Sequence, residues 1–250
     1  MDRVVVFDSG IGGFSILKPL LETEFRSHVI YLADQQAFPY GDKSASWLRA
    51  RLQKIASYLN SLSPNLVVIA CNTATVGGVS VFRDTLACPV VAVEPVIKPL
   101  SLYKRAVLLG TSSTLSSPKT LERLKGLVGD SVVSYTPHGL PLAIENIDFD
   151  QVKSILTSVK DLVVREKVDA IGLSCTHYPL VKKELSTLLP GIELVDPSPA
   201  VVSQILSVLP RNSYNKTSKL DFYTTGDVLR LKSQIKYYLG LDYNPKKVVV

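Results

Sequence analysis

Short runs of consecutive apolar residues, many of them β-branched, alternate along the chain with longer stretches in which apolar positions recur at helical spacing. The runs VVVF, HVIYL, LVVIA, VVAV, RAVLL, VVSY, AIGL, ELV and LDFYT predict strands over 4–7, 28–32, 66–70, 90–93, 105–109, 132–135, 170–173, 193–195 and 220–224. Between them, stretches such as 44–62, 117–127, 149–167, 178–188 and 199–209 carry the amphipathic pattern of helices. Strands that are apolar throughout, rather than on alternate positions, are buried on both faces. Alternating with helices, they indicate an α/β fold with mainly parallel sheets.

The pattern also repeats. VVVFDSG and AVLLGTSST are each a buried strand running into glycine and hydroxyl residues, and VVIACNTA and AIGLSCTHY are each a buried strand ending in a cysteine. Two half-chains of one plan imply two related domains. The prolines of EPVIKPL place the break near 95–100, and the polar stretch 210–219 reads as a return linker. The last segment is too short to fold alone and is expected to dock on the first half. The domains are therefore drawn as 1–96 with 210–250, and 97–209.

Composition narrows the class. At 250 residues with 46% hydrophobic and 20% charged, the chain is globular. Its 28 basic and 22 acidic residues leave +6, but the cations form no run. Lys246, Lys247, Arg49 and Arg51 read as solvated faces, so no nucleic-acid partner is expected. The first apolar run is too short for a signal segment, and no stretch approaches a membrane span. Three cysteines cannot build a disulfide framework, and as thiols they suit a reducing cytoplasm.

Ligands of parallel sheets bind beyond the carboxyl ends of the strands, where DSGIGG, CNTAT, GTSST and SCTHYP all fall. Asp8 is either a cap on the next helix or a group that handles a proton or orients a thiol. GIGG lacks the spacing of a dinucleotide loop and reads as a place where backbone amides approach a carboxylate. Cys71 is followed by Asn72 and Thr73, donors suited to a carboxylate. Cys175 is followed by Thr176 and His177, and a histidine two residues on can tune a thiol. Cys88, alone before Pro89, reads as packing, and the other two thiols are expected to alkylate ahead of it. Cys71, Cys175 and His177 could also ligate zinc, although no metal-binding spacing accompanies them. One thiol with His177 would suit acyl transfer but leaves the other loop unexplained. Two thiols facing one carbon from opposite sides suit inversion, because one removes a proton while the other delivers one.

The segments VFDSGIGG, FPYGDKS, ACNTAT, VEP, GLSCTHYPLV, LVDPSPA and FYTTGD resemble the motifs of the cofactor-independent aspartate/glutamate racemase superfamily, over almost the whole chain. The resemblance implies two pseudo-symmetric α/β domains with the site in the cleft between them. It implies racemisation of glutamate without cofactor or metal, supplying D-glutamate for peptidoglycan. Aspartate is the nearest alternative substrate, and a non-catalytic amino-acid binder is the rival of another class. Cys71 would act on D-glutamate assisted by Asp8, and Cys175 on L-glutamate assisted by His177, with Glu145 as an auxiliary catalytic group. Asp8, Ser9, Tyr40, Gly41, Asn72, Thr73, Thr111, Thr114, Thr176 and His177 match positions that hold the substrate. A cytoplasmic enzyme is implied, with glutamate as its small-molecule partner, no nucleic acid or membrane, and a homodimer as an open option. PHGLPLAIEN departs from the pattern, replacing a more apolar stretch.

Overall fold

The computed structural model describes residues 2–25, 27–209 and 219–250. The strands are β1 (Arg3–Asp8), β2 (His28–Ala33), β3 (Leu66–Ile69), β4 (Val90–Ala92), β5 (Ala106–Gly110), β6 (Val132–Tyr135), β7 (Ala170–Ser174), β8 (Glu193–Val195), β9 (Lys219–Thr224) and β10 (Lys246–Lys247). The helices are α1 (Phe14–Leu21), α2 (Ala45–Ser61), α3 (Asn72–Thr85), α4 (Ile97–Leu100), α5 (Ser112–Leu115), α6 (Pro118–Leu127), α7 (Leu140–Glu145), α8 (Phe149–Glu166), α9 (Lys182–Leu188), α10 (Ser198–Val208) and α11 (Val228–Leu239).

All pairings are parallel. One sheet runs β10-β9-β2-β1-β3-β4 and the other β6-β5-β7-β8. The stretch β2-β1-β3-β4 and the whole of the second sheet share one order, with β1 matching β5 and β3 matching β7. In each, the chain leaves the first strand for one neighbour and returns on its other side. That leaves a crevice at the strand ends between β1 and β3, and between β5 and β7. The two cysteine loops follow β3 and β7. β9 and β10 add to the first sheet beside β2, so the six-stranded half is built from both ends of the chain.

The interiors of β1, β2, β3, β5 and β7 are buried on both faces, as their uninterrupted apolar runs require. The outer strand β6, read from the run VVSY, has no fully buried residue. Val4, Val6, Val68, Val107, Ile171 and Leu173 share one continuous core with Phe14 and Leu17 of α1 and with Val202 and Ile205 of α10. Val5, Phe7, Val67 and Ile69 face the other way, against Leu52 and Ile55 of α2 and Phe82 of α3. Each such side chain contributes about 1.5–3 kcal/mol on burial.

The stretch 178–188 is not one helix: Tyr178–Val181 forms a 3₁₀ turn containing Pro179, and α9 begins only at Lys182. Asp8 is not a helix cap; α1 starts at Phe14 behind Gly13, with no side-chain cap. Arg51 is not a solvated face. Its guanidinium grips the buried Asp34 through Nε at 2.8 Å and Nη2 at 2.5 Å, and donates to the Val250 carbonyl at 2.7 Å. Arg49 is exposed as expected. The stretch read as a linker lies outside the described residues except Lys219, which opens β9.

Candidate active site

A cleft of about 760 Å³, including its mouth, opens where the strand ends of the two sheets meet. Ser9 after β1 and Cys71, Asn72 and Thr73 after β3 line it from the six-stranded half, together with Tyr40 and Gly41. Thr111 after β5 and Cys175, Thr176 and His177 after β7 line it from the other half. The structure therefore brings both thiols to one cavity.

Asp8, Thr114 and Glu145 stand behind this wall, not on it. Asp8 is fully buried. Its Oδ1 accepts the Gly10 amide at 2.8 Å, and its Oδ2 accepts the Thr176 hydroxyl at 2.9 Å, which joins the two halves. Burial pushes the Asp8 carboxyl above its ordinary range, against the pull of His177 and these donors. Thr73, Thr111 and Thr114 form a triangle of hydroxyls, with Thr73–Thr111 and Thr111–Thr114 both at 2.9 Å. Thr73–Thr111 also joins the two halves, and Ser113 adds a further tie by donating to the Gly41 carbonyl at 2.6 Å. Tyr40 turns its hydroxyl away to Asp34 at 2.5 Å, so what it offers the cleft is its ring and backbone.

The two thiols have different neighbours. Cys71 precedes α3 at its N-cap position, and its sulfur lies 3.6 Å from the Ser9 hydroxyl. Burial and then the charge of Asp8 push the Cys71 thiol up to about 12, so it rests protonated. Cys175 lies 3.8 Å from Nδ1 of His177, whose Nε2 meets Glu145 Oε1 at 2.9 Å. Burial works against a charged imidazole here. Hydrogen bonds to Cys175 and Glu145 outweigh it and hold His177 well above the usual histidine value. Burial likewise opposes the Glu145 carboxylate, yet the His177 and Ile11 hydrogen bonds keep its pKa below the ordinary range. One thiol thus rests as a proton donor and the other sits beside a cation.

Both polar side-chain atoms of Asn72 are buried, unpartnered and at the cleft. Buried amides are nearly always paired, so this one is set for a ligand with donors and acceptors of its own. Among the described residues no group of three or more His, Cys, Asp or Glu is placed to hold a metal ion, so the zinc reading finds no cluster.

Sequence reasoning assigned no role to several lining residues. Phe38 packs on the His177 ring at 5.4 Å between centroids, and Thr136, His138 and Leu142 also line the cleft. Phe38 fell inside a quoted motif, and Thr136–Leu142 follows β6 at the same end of its sheet, so strand-end position was the available signal. Cys88 is half-buried and packs beside β4, whereas Cys71 and Cys175 are each only 6% exposed. Burial therefore favours the opposite alkylation order to the one expected from the sequence. Iodoacetamide at neutral pH should label Cys88 first, read by peptide mass spectrometry; earlier labelling of Cys71 or Cys175 would show that their burial does not shield them.

Comparison with known proteins identifies the family. The family model described as Asp/Glu/hydantoin racemase matches residues 17–205. The chain belongs to that family. A glutamate racemase of Stutzerimonas stutzeri is 33% identical over 240 residues, 91% of this chain and 90% of that protein. The structure of Escherichia coli glutamate racemase in complex with L-glutamate and the activator UDP-MurNAc-Ala is 26% identical, with TM-score 0.80 over 98% of this chain and 97% of that one. The Francisella tularensis glutamate racemase with D-glutamate superposes with TM-score 0.84 at 24% identity, over 100% and 97%, which shows the shared fold of this family member. No described helix is long and apolar enough to cross a membrane.

Proposed function

We propose that this chain is a glutamate racemase that works by two-thiol acid/base chemistry without cofactor. The observation that carries the reading is the pair of thiols, on equivalent strand-end loops of two like sheets, lining one cleft. Its full-length likeness to proteins named glutamate racemase selects the substrate. The two domains are 1–96 with 210–250, and 97–209, in keeping with the strands each sheet contains. Three unpaired cysteines fit a cytoplasmic site of action, and D-glutamate for peptidoglycan is the product the reading implies.

In the L-to-D direction, Cys175 as thiolate removes the α-proton, with His177 as the cation beside it. The electron pair moves toward the α-carboxylate, held by donors such as the unpartnered Asn72 amide, which oppose the growing charge. Cys71, resting as a thiol, delivers a proton to the opposite face. The reverse direction exchanges the roles, with Asp8 adjoining Cys71. The cleft walls limit water, which strengthens each of these interactions.

The test is to dialyse the purified protein against chelator and follow the optical rotation of L-glutamate and of L-aspartate. Rotation of L-glutamate should fall to zero as the mixture racemises, with no added cofactor. Activity lost to chelator and restored by zinc would overturn the mechanism. Turnover of aspartate alone would move the chain to the other substrate.

A further inference from the structure

Gln234 is a glutamine on α11 that is only 1% exposed, on the same face as the buried Leu231 and Ile235. A long amide at that depth is uncommon, and it stays satisfied only if both its ends are taken. Its NH₂ donates to Glu145 Oε2 at 2.9 Å and to the Glu145 backbone carbonyl at 2.6 Å. Its oxygen accepts from Gln35 Nε2 at 2.7 Å. Gln35, in the turn after β2, donates also to Glu145 Oε2 at 3.1 Å, while its own oxygen accepts the Thr224 hydroxyl at 3.0 Å. Each oxygen is thus occupied by a donor. Flipping either amide would set an oxygen against the Glu145 carboxylate, so the network fixes which ends face it.

With Ile11 N at 2.6 Å and His177 Nε2 at 2.9 Å on Oε1, the carboxylate accepts four hydrogen bonds in a site 1% exposed. Two of the four come from the glutamines, and Gln35, Gln234 and Ile11 all belong to the six-stranded half. Glu145 and His177 belong to the other. A buried carboxylate beside an imidazole has two arrangements for the proton they share: on nitrogen as an ion pair, or on oxygen as a neutral pair. Low polarity favours the neutral pair, and donors to the carboxylate favour the ion pair.

We propose that Gln234 and Gln35 are positioning residues that keep the proton shared by Glu145 and His177 on His177, and so keep a cation beside Cys175. The other charges around the pair are Cys175 and Asp8 near His177, and Arg230 at 3.6 Å from Glu145 Oε2. Tyr31 and Tyr238 also feel the Glu145 charge, and the Tyr238 hydroxyl donates to the neighbouring Ile144 carbonyl. Arg230 is 40% exposed at its side chain and screened by water, so it does not replace two buried donors. The Cys71 side has no such device. Its carboxylate, Asp8, is held by Gly10 and Thr176 instead.

The proton's location is read without turnover, by ¹⁵N NMR of histidine-labelled full-length protein at neutral pH. The chain has three histidines, and the His177 signals are assigned by their loss in His177→Gln. The wild type should show both His177 nitrogens protonated. Gln234→Met should show an unprotonated Nε2 as the proton passes to Glu145, and Gln35→Leu, at a less buried position, should do so in part. A second arm rests on the racemase reading. In a Cys71→Ala background Gln234→Met should slow deuterium uptake into L-glutamate about ten-fold, less than the roughly 10²- to 10⁴-fold of a group that moves the proton itself, because the glutamine acts through His177. In a Cys175→Ala background it should leave uptake into D-glutamate within about two-fold, the scatter of a site left intact. Both nitrogens still protonated in both glutamine variants, or equal losses on the two faces, would overturn the proposal. A wild type that does not racemise glutamate but shows the NMR change would fault the racemase reading and leave this one standing.

Discussion

Cys175→Ala and Cys71→Ala should each abolish net racemisation, with kcat falling by about 10²- to 10⁴-fold, the range over which a positioned acid/base group acts. Each inversion needs a base on one face and an acid on the other, so losing either thiol stops the whole event. Both directions must fall together in kcat/KM, because the two enantiomers are equal in free energy in water. The half-reaction separates them. In deuterated water, Cys175→Ala retains Cys71 and should wash deuterium into D-glutamate faster than into L-glutamate. Cys71→Ala should show the opposite preference. The two residual rates should also differ. Cys71 must first lose a proton held at about 12 by burial and Asp8, whereas Cys175 has His177 beside it. NMR of the recovered α-position reads both results, after circular dichroism has shown that each variant is folded. Near-normal racemisation with either thiol removed would exclude the two-base mechanism.

The fold was legible because both-face burial writes itself into consecutive residues. VVVF, LVVI and AIGL needed no partner to be read as parallel strands, and each lies where expected. The two thiols were legible because a strand end fixes where the next residue stands. The helices α1, α3 and α11 were less so. α3 carries two glycines and several β-branched residues, and α1 contains Pro19, so local preference argued against both. α11 did carry a signal, with Asp227 capping its start at 2.7 and 3.1 Å and Gly240 in the left-handed conformation at its end. Glu145, Asp8 and Thr114 were named as candidates from the sequence, but their depth behind the cleft wall was not legible there. Whether a side chain touches the cleft or backs a neighbour depends on the other half of the molecule. The same is true of Arg51, whose partners Asp34 and Val250 are far apart in the chain, and of Gln234, which nothing local distinguishes from a surface glutamine.

Gly10→Ala should lower kcat by about a hundred-fold or more, the lower end of what an acid/base assembly contributes, while destabilising the fold by about 1–3 kcal/mol. A methyl at Gly10 would stand 1.9 Å from Glu145 Oε1 and 2.9 Å from its Cδ. A carboxylate is the far end of a flexible side chain, and elsewhere it would swing aside at little cost. Here it is held by Ile11, His177, Gln35 and Gln234 together, so any movement that admits the methyl breaks hydrogen bonds in a buried site. Glu145 cannot remain against His177 Nε2, and His177 loses the partner that orients it toward Cys175. The neighbouring Gly12 is confined in the same way, with a methyl 2.5 Å from the Thr176 hydroxyl and 2.6 Å from His177 Nδ1. Gly10 and Gly12 of GIGG therefore let the backbone of one half approach carboxylate, hydroxyl and imidazole of the other. Gly126→Ala is the control. It lies in α6 with nothing within 4 Å of an added methyl, and should keep wild-type kcat while gaining about 0.5–1 kcal/mol from helix preference. Steady-state kinetics and urea unfolding on the two variants decide the matter. Wild-type kcat and stability in Gly10→Ala would mean that Glu145 is free to move, and that its contact with His177 does not hold the Cys175 side of the site together.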